Sequence, residues 1–246
     1  MVSKNTAKYL KSLQLKKYRK QEQRFLVEGA KSVLELLGSD WQAELFVVSE
    51  AFGAAHNQAL AASGATVLEA PEAALGTLGT LQSNKAAIAV AHCRPNQPLP
   101  PPPGQWTLAL DDVRDPGNLG TIIRIADWYG VTTIVCSETT AEWYNPKVVS
   151  ATMGSFTRVS LWYTDLPQAL AATPLPAYGA MLSGQSAHST QFGAEGVLVI
   201  GNESHGIGQE VAKALSHQVS IPRYGEAESL NAGIATAVLL DNIRRQ

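Results

Sequence analysis

The segment DPGNLGTIIR, from Asp115 to Arg124, places an amide, two glycines and a guanidinium at the start of a predicted helix. Its glycines fit neither of the phosphate-binding patterns GxGxxG and GxxxxGK[ST]. Arg124 follows Gly120 by one helical turn, and helical side chains lean towards the N-terminus, so its guanidinium is expected to reach back towards the helix start. Asn118 is a good N-cap residue for this helix. The segment predicts a guanidinium held near the start of the helix, with a plain cap and a solvated arginine as the alternative.

Two later turns carry further polar side chains after apolar strands. GNESHGIG, residues 201–208, follows the apolar run VLVI and carries Glu203 among glycines that permit close backbone approach to a ligand. The segment SIPRYGEAESLN, residues 220–231, offers Ser229 or Asn231 as the cap of the last helix. An exposed loop glutamate and a simple helix cap are the alternatives for these two turns.

The surrounding sequence predicts the elements that hold these turns. After residue 105, apolar strand candidates alternate with helical segments, which favours a largely parallel sheet covered by helices. Ligands of such sheets bind at the carboxyl ends of the strands, where the three turns lie. Neither a GxGxxG after a strand nor a GxSxG is present, which disfavours a dinucleotide oxidoreductase and a serine hydrolase. The six strand candidates are WTLALDDV, TTIVCS, RVSLWY, AYGAML, GVLVIG and HQVSIP.

The N-terminal part predicts a smaller α/β layer. Strands are predicted at AELFVVS, ATVLEA and AAIAVAH, and helices at FLVEGAKSVLELL, from Phe25, and at AFGAAHNQALAASG, which Gly64 closes. The segment RPNQPLPPPPG holds six of the thirteen prolines, which is typical of a semi-rigid linker. The predicted boundaries are a first domain at 1–94, a linker at 95–104 and a second domain at 105–246.

Composition narrows the class of protein. Apolar residues make up 45% of the 246 residues and charged residues 16%, as in an ordinary globular protein. No apolar run is long enough to span a membrane, and the N-terminus lacks the apolar core of a secretory signal. Cys93 and Cys136 lie far apart, and neither the cysteines nor the five histidines have metal-ligand spacing. We therefore expect a reduced, cytoplasmic setting with no membrane and no metal.

Positive charge is concentrated at the N-terminus. Nine of the nineteen lysine and arginine residues fall within the first 31 positions, although the net charge is −2. Clustered cations release counterions when they meet a nucleic-acid backbone, which makes this segment a candidate phosphate-contacting arm. A solvated helical face is the alternative. The central candidates for RNA contact are Lys16, Lys17, Arg19 and Lys20.

Taken together, the three turns resemble the signature motifs of the SpoU (TrmH-like) family of RNA ribose methyltransferases, within the SPOUT superfamily. They occur in the family's order, and the resemblance covers about residues 106–246. The N-terminal segment is also similar to the substrate-binding domain that many members carry, which resembles a small ribosomal RNA-binding protein. The matching motifs are Asn118-x-Gly120-x-x-x-Arg124, Gly201-Asn202-Glu203-x-x-Gly206, and Ile221-Pro222 with Ser229-Leu230-Asn231.

The resemblance implies an α/β fold whose parallel sheet carries a C-terminal trefoil knot, preceded by a small α/β RNA-binding domain. Threaded chains are rare exceptions to the connection rules, so this feature rests on the resemblance alone. Family members work as homodimers, use S-adenosylmethionine and methylate a ribose 2′-hydroxyl. The implied substrate is RNA, with ribosomal RNA favoured over tRNA. The implied cofactor-binding residues are Leu182, Gly201, Ile221 and Leu230.

The resemblance also implies roles for the polar residues of the three turns. Arg124 is too basic to act as a general base, so we expect it to stabilise the developing alkoxide or an adjacent phosphate, while a neighbour or a phosphate assists proton loss. Ser155 and Arg158 are further candidates for RNA contact. A non-catalytic RNA-binding protein on the same fold is the alternative. The residues expected to orient the ribose and its backbone are Asn118, Glu203, Ser229 and Asn231.

Overall fold

The structure of the chain is a computed structural model that describes residues 2–246. Its contacts divide these residues into two compact units. The first unit comprises the residues up to Pro95 together with Trp143–Thr157, and the second comprises Asn96–Glu142 together with Arg158–Gln246. Residues 143–157 fall within the range predicted for the second domain, yet they pack with the first unit. None of the described helices is long and apolar enough to cross a bilayer.

Helices and strands alternate along most of the chain, and one short 3-10 helix spans Ser155–Thr157. The strands are β1 (Arg24–Glu28), β2 (Ala43–Val48), β3 (Thr66–Glu69), β4 (Ala87–His92), β5 (Trp106–Leu110), β6 (Thr133–Ser137), β7 (Ser160–Thr164), β8 (Ala177–Ser186), β9 (Gly196–Ile200) and β10 (His217–Ser220). The helices are α1 (Lys4–Ser12), α2 (Lys16–Glu22), α3 (Ala30–Leu37), α4 (Glu50–Ala55), α5 (Asn57–Ala62), α6 (Glu72–Leu78), α7 (Pro116–Trp128), α8 (Pro146–Thr152), α9 (Leu166–Ala172), α10 (Gln209–Ala212) and α11 (Ala232–Arg244).

The first unit is built on a mixed four-stranded sheet in the order β1-β4-β2-β3. Strand β4 pairs antiparallel with both β1 and β2, and β3 pairs parallel with β2. Leu10 of α1 and Leu75 of α6 are buried in one apolar cluster with Leu26, Val47 and Ile88 of the sheet. The three strands predicted for this part of the chain are confirmed, and β1 is an additional one.

The helix predicted from Phe25 is wrong over its first residues. Phe25–Glu28 belong to β1 and pair with Ile88–Ala91 of β4. All four residues are buried, so the strand lacks the alternation that distinguishes it from a buried helix. Gly29, at φ +89°, ends the strand, and α3 begins at the next residue. The second predicted helix forms as α4 and α5, which meet at His56.

An aromatic cluster holds the segment with α8 in the first unit. The ring of Phe25 in β1 lies 4.7 Å from that of Tyr144 and 5.9 Å from that of Phe156, measured between centroids. Trp41 adds edge-to-face contacts with Trp143 and Phe156, each at 5.6 Å. Such aromatic pairs are stabilising beyond the area they bury. They explain why this segment groups with the first unit, although the chain on either side belongs to the second.

The second unit is a six-stranded sheet in the order β10-β8-β9-β5-β6-β7. All neighbouring strands are parallel, which confirms the predicted parallel sheet and its six strands. Every residue of the central strands β5 and β9 is buried, as expected where helices cover both faces. Helix α11 packs against α7. The trefoil knot concerns the threading of the chain, which strand order does not define, and it stays a prediction.

The proline-rich segment between β4 and β5 contains no helix or strand. Asn96 ties it to the edge strand β7 of the second unit. The Asn96 side chain donates to the carbonyl of Tyr163 at 2.8 Å and accepts from the N–H of the same residue at 2.9 Å. Two hydrogen bonds to the main chain of β7 therefore hold this end of the segment at the edge of the sheet.

Candidate active site

The helix that carries the first predicted site residues, α7, is capped by Asp115. The Asp115 carboxylate accepts a hydrogen bond of 2.8 Å from the main-chain N–H of Asn118. The prediction that Asn118 caps the helix is therefore wrong. Pro116 suits the first helical position because its φ is fixed and it has no N–H to satisfy, so the helix starts earlier than predicted. The Asn118 side chain is thereby available for contacts outside its own helix.

A chain of side-chain hydrogen bonds joins the three predicted turns. Nδ2 of Asn118 donates to Oε1 of Glu203 in the loop after β9. Oδ1 of Asn118 accepts a hydrogen bond of 2.7 Å from Nδ2 of Asn231. Oδ1 of Asn231 in turn accepts from the N–H groups of Gly233 and Ile234, at 2.9 and 3.3 Å, and so caps α11. Each amide has a donor and an acceptor role that fixes its orientation.

The loop of residues 201–208, here called the Glu203 loop, presents Glu203 at a closed tip. Asn202 and Gly206 exchange two main-chain hydrogen bonds, of 3.0 and 2.9 Å. A Cβ atom at Gly201 would lie 2.3 Å from the carbonyl carbon of Gly206. The backbone therefore turns back on itself too closely for any residue larger than glycine at this position. The Glu203 side chain consequently rests on a loop with little local freedom.

An aspartate just after β5 connects the Glu203 loop to two other turns. The main-chain oxygen of Asp112 accepts from Nδ2 of Asn202 at 2.8 Å. Its carboxylate accepts from Nε of Arg114 at 2.7 Å and lies 3.3 Å from Nε2 of His205. Burial acts to raise the pKa of Asp112, but hydrogen bonds from Thr139 and Arg114 and the charges of Arg114 and His205 outweigh it and lower that pKa. This carboxylate is thus held in its charged form.

Asp111, Asp112 and His205 are functional candidates that sequence reasoning misses. Oδ2 of Asp111 accepts a hydrogen bond of 2.7 Å from the N–H of Gly208, so both aspartates hold the Glu203 loop. The available signal is the pair of adjacent acidic residues at the end of the apolar run WTLALDD. Both are largely buried, which is unusual for aspartate unless it is hydrogen-bonded or paired.

The side chains of Arg124 and Ser229 are exposed and make no hydrogen bond within residues 2–246. Arg124 lies on α7 one turn beyond Gly120, which is buried. It forms no hydrogen bond with Asn118 in the described part of the chain, so its guanidinium is available to a ligand. Ser229 precedes α11, but Asn231 and not Ser229 provides the cap.

The predicted cofactor residues lie at three neighbouring strands. Strand β8 pairs with β10 up to Gly179 and again from Gln185, although the two partners are consecutive on β10. Residues 180–184 therefore interrupt the register between the two strands, and Leu182 at their centre is 79% exposed. The other three are Gly201 directly after β9, Ile221 directly after β10, and Leu230, which is 47% exposed, just before α11.

The predicted RNA contacts on α2 divide into exposed lysines and one internal arginine. Lys16, Lys17 and Lys20 are exposed on α2 in the first unit. Arg19 on the same helix is only 3% exposed, and its Nη1 donates to the carbonyls of Leu13 and Gln14 at 2.9 and 2.8 Å. Its position therefore fits a role in the interior of the unit.

The two additional candidates for RNA contact are a buried serine and an ion-paired arginine. Ser155 is 5% exposed within the first unit. Arg158 forms a forked ion pair with Asp127 of α7, in which its Nη2 lies 2.8 Å from Oδ2. Ser155 is therefore withdrawn from solvent, whereas Arg158 is exposed but, unlike the three lysines, is held by an ion pair.

The sequence profile of the SpoU rRNA Methylase family matches residues 105–241, which is more than half of the chain. The chain belongs to the SpoU rRNA methylase family. This confirms the resemblance drawn from the three motifs. A second profile, of the MRM3-like substrate binding domain, matches residues 4–89 in the first unit. The SpoU match contains all three turns that the hydrogen bonds of Asn118 and Asn231 connect.

Similar proteins extend over nearly the full chain. The 23S rRNA (guanosine(2553)-2′-O)-methyltransferase RlmP of Bacillus subtilis is 29% identical over 238 residues, which are 95% of this chain and 94% of that protein. The 23S rRNA (guanosine-2′-O-)-methyltransferase RlmB of Neisseria meningitidis is 28% identical over 178 residues, or 70% and 69% of the two chains. The crystal structure of an AdoMet-bound rRNA methyltransferase from Sinorhizobium meliloti superposes with a TM-score of 0.89 at 30% identity, covering 100% of this chain and 97% of that one.

Proposed function

We propose that this SpoU-family chain transfers a methyl group from S-adenosylmethionine to a ribose 2′-hydroxyl of ribosomal RNA. The observation that carries this proposal is the hydrogen-bond chain Asn231–Asn118–Glu203, which brings the three family motifs into one constellation. The names of its relatives support an RNA 2′-O-methyltransferase, and those of RlmP and RlmB favour ribosomal RNA over tRNA.

The residues at the carboxyl side of β8, β9 and β10 fit S-adenosylmethionine. Leu182 and Leu230 present exposed apolar side chains that an adenine and a ribose would cover. Gly201, directly after β9, has no side chain that could cover its main-chain groups, so these can contact the cofactor. Ile221, directly after β10, completes the set with a partly exposed apolar side chain. The bound cofactor would supply a methyl group on a positively charged sulfur.

The polar residues then prepare the ribose hydroxyl. Oε2 of Glu203 has no hydrogen-bond partner within residues 2–246, so it can accept a hydrogen bond from the hydroxyl. Arg124 stays protonated and stabilises the negative charge that develops on the oxygen as its proton leaves. The proton passes to Glu203 or to an RNA phosphate. Asn118 acts mainly by orienting Glu203, since its amide already donates to that carboxylate and accepts from Asn231.

The first unit would bind RNA through exposed lysines on two helices. Lys16, Lys17 and Lys20 lie on α2. On α1, exposed lysines recur at helical spacing and therefore share one face. None of these lysines forms an ion pair within the described chain, so their charge is available to phosphates. The lysines on α1 are Lys4, Lys8 and Lys11.

A homodimer is part of the proposed function. Helix α11 buries Leu239 and Leu240 in the second unit but exposes 53% of Ile234. Trp128, at the end of the adjacent helix α7, is 84% exposed. Large apolar side chains exposed on two packed helices are typical of a surface that a second copy covers.

Incubation of the purified protein with radiolabelled S-adenosylmethionine tests the function. The RNA should come from a strain that lacks this gene and should be offered both as free RNA and as ribosomal particles. Label in ribosomal RNA that is absent with the Arg124→Ala variant is the expected result, and the Lys213→Gln variant serves as the control. RNA binding without any binding of S-adenosylmethionine would instead favour the non-catalytic RNA-binding protein.

A further inference from the structure

We propose that Asp112 is a positioning residue for Glu203 and that it acts through Asn202 and His205, the two residues that bracket Glu203 in its loop. The inference rests on the proposed function and deepens it, because it adds a second set of residues on which the placement of Glu203 depends. Asp112 lies just after β5, whereas the Glu203 loop follows β9, the next strand of the sheet. The link therefore runs across neighbouring strands.

The contacts of Asp112 lie on both sides of Glu203. Its main-chain oxygen accepts from Nδ2 of Asn202, at 2.8 Å, immediately before Glu203. Its carboxylate lies 3.3 Å from Nε2 of His205, two positions after Glu203. Only Ser204 stands between Glu203 and the second contact. Two contacts this close to Glu203 restrict both the position and the direction of the loop tip.

The backbone of Asp112 is held in an unfavourable conformation. Its φ of +59° lies in the left-handed region, which side chains other than those of asparagine and aspartate rarely adopt. Its N–H donates to Oγ of Ser137 at 2.9 Å, and its carboxylate is held by Arg114. Such a conformation persists when the surroundings over-determine it, and it is characteristic of functional sites. Here the surroundings are three turns at the carboxyl ends of adjacent strands.

The side chains around Asp112 explain why aspartate suits this position. Arg114 and His205 lie against its carboxylate from two different turns. The Asp112 carboxylate therefore attracts the segment after β5 and the Glu203 loop to one point. A glycine here would adopt the same φ without strain, but it would provide no acceptor for His205. The backbone role and the carboxylate role of this residue can thus be separated by substitution.

The test uses Asp112→Gly, Asp112→Asn and His205→Ala, with Lys213→Gln as the matched control. Lys213 forms an exposed ion pair with Glu210 on α10, shortly after the loop. We expect Asp112→Gly to adopt the wild-type fold and to lower kcat by between about tenfold and a hundredfold, with little change in the KM for S-adenosylmethionine. Asp112→Asn should recover part of the loss, because asparagine tolerates the same φ and keeps one oxygen acceptor.

Two further measurements separate positioning from general stability. Hydrogen exchange of residues 201–208 should be faster in Asp112→Gly and His205→Ala than in the wild type and Lys213→Gln. The double variant Asp112→Gly with His205→Ala should lose no more activity than Asp112→Gly alone, because both changes remove one link. Wild-type kcat in Asp112→Gly, or unchanged exchange of the loop, would overturn the proposal. If the wild type transfers no methyl group, the proposed function fails, and loop exchange alone still decides whether Asp112 holds the loop.

Discussion

Nδ2 of Asn231 donates a hydrogen bond of 2.7 Å to Oδ1 of Asn118, across 113 positions of the chain. The same Asn231 side chain caps α11 through its oxygen. The start of the last helix is therefore tied to the first turn of α7, and through Asn118 to Glu203. A change at any of the three residues is expected to disturb the other two.

Asn118 and Asp115 should have separable effects. Asn118→Ala should reduce methyl transfer at least tenfold, because Glu203 loses the amide that orients it. Its melting temperature should stay close to that of the wild type, since Asp115 provides the cap. Asp115→Ala should instead lower the free energy of unfolding by about 1 kcal/mol through loss of that cap. Equal destabilisation by both changes, measured by urea unfolding, would contradict the assigned cap.

Arg124 should matter for the chemical step and not for folding. We expect Arg124→Ala to lower kcat by about a hundredfold or more, because a charge-stabilising donor is removed. Binding of S-adenosylmethionine, measured by calorimetry, should persist. Because the Arg124 side chain is exposed and makes no hydrogen bond within residues 2–246, the thermal stability of the variant should not change. Near-normal turnover by this variant would refute the role.

The basic helix α2 should separate into RNA-binding and structural residues. Replacing Lys16, Lys17 and Lys20 by glutamine should weaken RNA binding and reduce the salt dependence of the affinity by a slope of about 2–3. Arg19→Gln should instead lower the free energy of unfolding. The buried guanidinium of Arg19 donates to two main-chain carbonyls, and loss of these hydrogen bonds costs about 1–3 kcal/mol. An unchanged salt dependence of the affinity in the triple lysine variant would show that these lysines form a solvated helical face and do not bind RNA.

Asp112 should make stability depend on pH in the acidic range. Its pKa is lowered in the folded protein, so its contribution is present above the ordinary aspartate value of about 4 and is lost as pH falls through the lowered value. We expect Asp112→Asn to be less stable than the wild type at pH 7, and the difference to shrink between about pH 4 and pH 2. Thermal unfolding of both proteins across this range measures it. A difference that stays constant would contradict the lowered pKa.

The exposed apolar side chains of α7 and α11 should support dimerisation. Trp128→Asp and Ile234→Asp should shift the protein from dimer to monomer, because a carboxylate would be buried in the interface at high cost. Light scattering coupled to size-exclusion chromatography measures the mass. Val67→Lys, at an exposed apolar position of the first unit, is the control that should leave the mass unchanged. A wild-type protein that is monomeric at micromolar concentration would rule the dimer out.

Local sequence patterns determined much of the second unit. The six strands of the parallel sheet follow from apolar runs that alternate with helical segments, because strands covered on both faces must be apolar throughout. The three turns follow from glycines and polar residues placed directly after those strands. Their motifs also identify the SpoU family, since residue type and spacing are properties of the sequence itself.

Tertiary structure decided the features that depend on distant partners. Phe25–Glu28 form a strand because β4 pairs with them, although their apolar pattern also fits a helix. Arg19 is internal because the carbonyls of Leu13 and Gln14 bind its guanidinium, whereas its lysine neighbours remain in solvent. Local sequence patterns do not show which residues will come into contact in the folded chain.

The site shows the same division. Its glycines, amides and carboxylate can be identified from the sequence, but the hydrogen-bond partners of Asn118 and Asp112 cannot. Asn118 is a residue type that commonly caps helices, but in the structure Asp115 caps α7. The Asn118 side chain instead connects Glu203 and Asn231, because both lie within hydrogen-bonding distance of it. Asp112 holds the Glu203 loop only because β5 and β9 are neighbours in the sheet. Residue type is a local property, whereas a hydrogen-bond partner is chosen by the folding of the whole unit.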